Sequence, residues 1–386
     1  MRNWGLLSGI AAHHEVSLLS FAEQGQHVHP TLAQACVEVG TVQVPARTRR
    51  QRVMTLATSS IPDMGWRLWS VDYARLLNEW LQAKAFDIVQ VEGIELARYA
   101  VQAAANAHQP KWVFDDHNCE YVLQQRNHER DRRAVKRWHA SAYSLVQWRR
   151  LKVFERAAMR AAQATLCVSP EDRDALVRLD PAQRPVVIPN GIDVASYATF
   201  QPALAGSDAD AAGPVLVFSG KMDYRPNIEA ALWFGERVLP LIKRAVPDVR
   251  WLLVGQKPDA RLDVLRSDPA ITVTGAVDDI RDYIGRASVY VAPLLAGGGT
   301  RFKLLEAMSM RKPIVSTTVG AEGFAAVTGR ELMLADSADS FAAAVVDLLA
   351  NGQARAALSG RGYDLVRTMF DWRVIVPRLE AVYAGL

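Results

Sequence analysis

What most limits the fold of this chain is an alternation of short apolar runs with helix-length stretches, in two series separated by a break. Val16 to Phe21, Ile88 to Val91, Trp112 to Phe114 and Ala164 to Val168 form the first series. Val215 to Phe218, Trp251 to Val254, Ile271 to Val273, Val289 to Val291 and Ile314 to Ser316 form the second. Strands of a parallel sheet are buried on both faces and read as near-continuous apolar runs, and the helices between them cover those faces. Between the series, Phe200 to Pro214 is rich in Ala, Gly, Asp and Pro and has no periodic apolar face, which predicts a linker over 200–214. The expected fold is therefore α/β: two Rossmann-like, doubly wound domains facing a cleft. Residues 1–199 would form the N-terminal one and 215–368 the C-terminal one, with 369–386 a final helix crossing back. A chain of 386 residues is long enough for two cores, and no solenoid-length repeat is evident.

The remaining bounds are chemical. Half the residues are apolar and 22% are charged, a globular balance. Cys36, Cys119 and Cys167 are scattered and odd in number, which suits reduced thiols in the cytoplasm. No apolar run reaches spanning length and no secretory signal pattern opens the chain, so a soluble protein, or one peripheral to the inner membrane, is expected. The net charge of +4 is unevenly spread. Arg130, Arg132, Arg133, Lys136, Arg137, Arg149, Arg150, Lys152 and Arg156 crowd the stretch from Arg126 to Arg160, interleaved with Trp138, Tyr143 and Trp148. Such a stretch suits an anionic membrane surface, and it suits better the solvated face of two long helices, which is what charge runs usually are. Nucleic acid is not expected as a partner.

Open parallel sheets hold ligands at the carboxyl ends of their strands. In the first series that edge carries Glu92, Asp115, Asp116, His117 and Asn118. Ser169-Pro170-Glu171-Asp172 nearby reads as a helix start, with serine as cap and proline in the first turn. In the second series Val215 to Phe218 runs into Ser219-Gly220-Lys221-Met222-Asp223-Tyr224-Arg225-Pro226-Asn227, a glycine turn and cationic loop. Lys221 or Arg225 would reach a diphosphate from there, and a plain turn uses the same residue types. Gly255, after Trp251 to Val254, leaves room for a flat base against the backbone. The run Gly297 to Met308 is the richest. Its three glycines allow close approach, Arg301 and Lys303 neutralise phosphate oxygens, the helix start adds unpaired N–H groups, and Glu306 one turn in accepts from ribose hydroxyls. Asp208 and Asp210 form an Asp-x-Asp pair, but in the linker and without other ligands.

Taken in order, Val187-Ile188-Pro189-Asn190-Gly191-Ile192-Asp193, Gly220 to Asn227, Leu253-Val254-Gly255, Val273-Thr274-Gly275, Gly297 to Met308 and Pro313 to Thr317 resemble the retaining, nucleotide-sugar-dependent glycosyltransferases of family 4. Within that family the chain is most similar to bacterial enzymes with a Met-Asp-Tyr-x-Pro-Asn segment, associated with exopolysaccharide biosynthesis. The resemblance implies the two-domain GT-B fold, a hexosyltransferase activity, and a donor held mainly by the C-terminal domain. The partners it implies are a nucleotide-diphosphate sugar and a glycan or lipid-linked acceptor, with no metal and no cofactor. Carried over by position, Arg301 and Lys303 hold the diphosphate and act in catalysis, Glu306 holds the ribose and Gly255 borders the base. Gly298 and Gly299 present N–H groups, and His117 faces the sugar; a strand-end histidine satisfied by a helix cap is the other reading of that residue. Gly220, Lys221, Arg225, Asn227, Thr300 and Leu305 complete the expected donor site.

Two departures from the family pattern stand out. Gly298 occupies the place of a glutamate that contacts the sugar in many members, so that rule does not read the sugar here. Met1-Arg2-Asn3-Trp4 begins where members have already completed a first strand and glycine loop, and Trp4 to Ala12 looks like the helix that follows them. Either the true start lies upstream or part of the acceptor and phosphate site is lacking, which keeps open a nucleotide-sugar-binding protein without turnover. Arg311 stands where a helix-ending glycine would be easier on the backbone.

Overall fold

The computed structural model describes residues 2–103, 110–132, 138–201, 213–296, 302–324 and 326–386. The chain divides into two compact units, Met1–Pro189 with Val376–Leu386, and Asn190–Ile375. The second unit thus begins ten residues before the linker read from the sequence. The reason lies in hydrogen bonds the sequence does not announce. Ile192 N–H donates to Phe370 O at 2.8 Å and Trp372 N–H to Ile192 O at 3.2 Å, fastening this segment to the end of unit 2.

In unit 1, β1 (Ser17–Ala22) and β2 (Glu38–Gln43) form a parallel pair. A separate parallel sheet has the order β3 (Ile88–Glu92), β4 (Lys111–Asp116), β5 (Ala164–Cys167), β6 (Val186–Val187). Trp112, Phe114 and Leu166 are fully buried, as strands covered on both faces require. The edges of β1 and β3 wall a cavity of about 410 Å³, with the rings of Tyr73 and Trp80 in its lining. The Tyr73 hydroxyl donates to Leu19 O of β1 at 3.0 Å.

Unit 2 is a six-stranded, wholly parallel sheet. Its order is β12 (Met333–Leu334), β11 (Ile314–Ser316), β10 (Val289–Ala292), β7 (Val215–Ser219), β8 (Arg250–Val254), β9 (Ile271–Val273). Alternate residues of a strand point to opposite faces. Accordingly Leu216 and Phe218 enter one core, with Ile228, Phe234 and Phe341. Val215 and Val217 enter the other, with Leu304, Leu305 and Met308. Two cores on the two faces of one sheet are the doubly wound arrangement expected from the sequence.

Candidate functional site

In unit 2 the strand ends β7 and β8 come together through two glycines. A methyl group on Gly255 would stand 1.7 Å from Gly220 O, so only glycine fits. Gly220 N–H donates to Val254 O at 3.0 Å, and Met222 N–H to Gln256 O at 3.0 Å, joining the two loops. The helix Arg225–Trp233 follows, with proline in its first turn. Its Asn227 is buried, its side-chain amide donates to Lys221 O at 2.8 Å, and its Oδ1 accepts from Lys303 Nζ at 2.8 Å. Lys303 Nζ also lies 4.3 Å from the centre of the Phe218 ring. A β-carbon on Gly220 would meet that ammonium at 3.0 Å, so the lysine head rests against the glycine turn.

Lys303 belongs to the helix Phe302–Ser309, whose apolar side packs in the core. One turn on, Glu306 is 7% exposed and its Oε1 accepts from the Tyr197 hydroxyl at 3.1 Å. Burial raises the Glu306 carboxyl above its ordinary value, while the Tyr197 hydrogen bond and the Lys303 charge pull it back. Gly220, Asn227, Gly255, Lys303 and Glu306 therefore gather at one sheet edge. Lys221 and Arg225 are exposed there, and Arg225 is paired with Glu229 at 2.5 Å. The Leu305 side chain is fully buried in the core below β7, so it packs there and leaves its backbone for a ligand. Gly298, Gly299, Thr300 and Arg301 lie outside the described residues, as do Asp208 and Asp210.

Unit 1 has its own polar edge. Glu92 and Asp115 are partners in the β3–β4 register, and His117 follows β4. Arg2 grips Asp115 with Nε to Oδ2 and Nη2 to Oδ1, both at 3.0 Å, and donates through Nη1 to Ile188 O and Pro189 O at 2.8 and 3.1 Å. Both side chains of this ion pair are buried. Burial, then the Asp115 charge, pushes Glu92 up to about 7. His117 Nδ1 lies 4.0 Å from Glu92 Oε2, and its ring packs on Gly93, whose φ is 83°. Burial lowers the His117 pKa, which favours a neutral imidazole able to donate or accept. Ligand atoms of Glu92, Asp115 and His117 lie within 4.8 Å of one another. A cation there would compete with Arg2, which already engages both Asp115 oxygens.

Sequence reasoning missed Arg2 and Tyr197. A single cation opening the first helix, and a tyrosine in a five-residue helix, carry no pattern that announces a buried partner more than a hundred residues away.

Two family models match the chain: "Glycosyltransferase Family 4" over residues 5–196 and "Glycosyl transferases group 1" over residues 213–351. A phosphatidyl-myo-inositol mannosyltransferase of Mycolicibacterium smegmatis is 32% identical over 204 residues, 51% of each chain. The chain spans about half the length of the curated relatives it matches. Among solved structures, the sucrose-phosphate synthase of Thermosynechococcus elongatus superposes with a TM-score of 0.71 at 17% identity, covering 98% of this chain and 91% of that one. HepE of Anabaena, in complex with UDP and glucose, gives 0.69 at 15% identity, covering 100% and 96%. The chain therefore belongs to the group 1, family 4 glycosyltransferases, with the GT-B fold.

Proposed function

We propose that this protein transfers a hexose from a nucleotide-diphosphate donor to a hydroxyl of a glycan or lipid-linked acceptor, with retention, in polysaccharide biosynthesis. The carrying observation is the joined glycine turns of β7 and β8 with Lys303 and Glu306 beside them. That edge offers a close backbone approach, a cation and a carboxylate, the three things a nucleoside diphosphate asks for. HepE was crystallised with UDP and glucose, which supports a sugar nucleotide as ligand. The mannosyltransferase relative, named for a phosphatidyl-inositol acceptor, supports a hexose and a lipid-borne hydroxyl.

In the reaction, charge grows on the leaving phosphate as its bond to the anomeric carbon breaks. Lys303 would exchange Asn227 for a phosphate oxygen, and Arg301, two residues earlier in the chain, would add a second cation. Groups aimed at the developing charge stabilise the transition state more than the ground state. Neither a metal nor a cofactor enters this scheme. The neutral His117 imidazole would hydrogen-bond the sugar. Placement at the inner membrane rests on the basic, partly apolar face of unit 1, considered below.

Release of nucleotide from a panel of UDP-, GDP- and ADP-sugars, with and without lipid-extract acceptors, tests transfer, and proton NMR of the product reads the anomeric configuration. Lys303→Ala should lower kcat by about 2 to 4 kcal/mol of barrier, the range for losing one oxyanion donor. An inverted product refutes retention. A second reading, donor binding without transfer, draws on the separation of β1 and β2 from the sheet of β3 to β6. Nucleotide binding with no release under any acceptor would select it.

A further inference from the structure

The helix Val194–Ala198 is short, yet one of its residues touches the donor site. Asp193 caps it by accepting from Ser196 N–H at 3.2 Å. Arg281 holds it from the side: Nη1 donates to Ser196 O at 3.1 Å, and the guanidinium lies 4.1 Å from the centre of the Phe200 ring and 5.7 Å from that of Tyr197. Asp279 in turn fixes Arg281 through a pair at 2.6 Å. The Tyr197 ring is thus clamped, and its hydroxyl ends on Glu306 Oε1 at 3.1 Å.

We propose that Tyr197 is a positioning residue of the donor site, orienting the Glu306 carboxylate so that its remaining lone pairs accept the ribose hydroxyls. This rests on the reading of Glu306 as the ribose acceptor. A carboxylate has roughly four acceptor sites, so the tyrosine takes one and leaves enough for both hydroxyls of a ribose. Without that bond the carboxylate would choose among rotamers, and holding it beforehand lowers the entropy lost on binding. The hydroxyl also favours the ionised form that a ribose needs, against the burial that opposes it.

Calorimetry on the full chain, with UDP, GDP and ADP each beside its 2′,3′-dideoxy counterpart, provides the test. The wild type should prefer the ribose form of its nucleotide by about tenfold or more. Tyr197→Phe keeps the ring and should weaken the ribose nucleotide about three- to tenfold while leaving the dideoxy form unchanged. The low-pH loss of ribose-nucleotide affinity should begin at higher pH in this variant. Arg281→Met, which loosens the clamp and spares the hydroxyl, should give the same selective loss at smaller size and serves if Tyr197→Phe melts early. Equal losses for both nucleotides, no loss, or tighter ribose binding in Tyr197→Phe overturn the positioning role alone. A wild type that binds both forms alike, or binds none of the nucleotides, removes the Glu306 reading and the proposal with it.

Discussion

Arg311 closes the helix Phe302–Ser309 with a φ of 53°, in the region where a side chain costs about 1 kcal/mol or more and glycine costs nothing. Its guanidinium lies 3.7 Å from the centre of the Tyr363 ring, a cation–π contact that offsets the strain. Truncation separates the two effects. Arg311→Ala keeps the strain and loses the stack, and should destabilise unit 2 by about 1 kcal/mol. Arg311→Gly loses both, and should be the more stable of the pair by about 1 kcal/mol in urea unfolding. Equal midpoints for the two variants would mean that the backbone there carries no strain. A different residue-scale tension sits in unit 1, where Asp116 is fully buried with no donor to either oxygen among the described residues. Its neighbour Glu155 already accepts from Glu120 and Tyr121 N–H at 3.0 Å each, so a proton on Asp116, given to Glu155, satisfies both carboxyls. Burial, then the Glu155 charge, raises Asp116, and burial also raises Glu155. Folded values above unfolded ones mean stability that is complete below the ordinary carboxyl range and is lost as pH rises through the folded values. Glu120 beside them is pushed up to about 7 in the same way. Melting temperature should therefore fall between roughly pH 5 and 8. Asp116→Asn, whose amide supplies the hydrogen permanently, should flatten that fall; an unchanged slope would show that the pair does not share a proton.

At the scale of elements, the junction of β7 and β8 in unit 2 leaves no room for a side chain. Gly255→Ala would drive a methyl group into Gly220 O, and the backbone there has no flexible side chain to move aside. Separating the two strand ends should destabilise unit 2 by about 1 to 3 kcal/mol and weaken nucleotide binding at the same time. Normal stability and binding in this variant would dissociate the glycine pair from the site. This junction was legible in the sequence because each half of it is a buried parallel strand followed by glycine, and both are local signals. The same holds for the apolar runs of β3, β4, β5, β7, β8 and β10. β2 escaped notice for a physical reason. Glu38, Gly40, Thr41 and Gln43 make it a partly exposed strand at the sheet margin, without an apolar run. β6 and β12 span two residues each, too short for any period to register. The helix Val194–Ala198 precedes the linker in sequence yet lies in unit 2, because what fixes it, Tyr197 on Glu306 and Ile192 on Phe370, is long-range. Side-chain roles divided in the same way: Lys303 and Glu306 stood in a readable run, and Leu305 between them belongs to the core.

For the molecule as a whole, the modest net charge conceals a concentrated one. On unit 1, the helix Arg49–Thr58 exposes Arg49, Arg50 and Arg52 together with Val53 and Met54. The helix Trp138–Ala161 exposes Tyr143, Val146, Arg149, Val153 and Arg156 at helical spacing. The two meet at a cavity of about 250 Å³ lined by Arg52, Val53, Tyr143, Gln147 and Arg150, so they form one face. Arg133, Lys136 and Arg137, also drawn into the membrane reading from the sequence, lie outside the described residues, as do the side chains of Arg130, Arg132 and Trp138. No described helix is long and apolar enough to cross a bilayer. Cations interleaved with exposed valine and methionine instead suit contact with an anionic leaflet, each cation contributing about 1 kcal/mol near the surface. Asp63 tempers this, since it pairs with Arg52 at 3.1 Å. Arg49, Arg50 and Arg149 should then carry most of the attraction. Vesicles containing phosphatidylglycerol should bring the full chain to the top of a flotation gradient at low salt, and purely zwitterionic vesicles should not. Reversing two of these charges, Arg50→Glu with Arg149→Glu, removes at least 2 kcal/mol by the same arithmetic, a drop in partition of about thirtyfold or more. Raising salt to about 0.5 M should have a comparable effect, because exposed charges are screened within a few ångströms there. Flotation that ignores lipid charge, salt and the double reversal would leave this face as solvated helix surface and withdraw the membrane from the proposed function, with the donor site proposed in unit 2 unaffected.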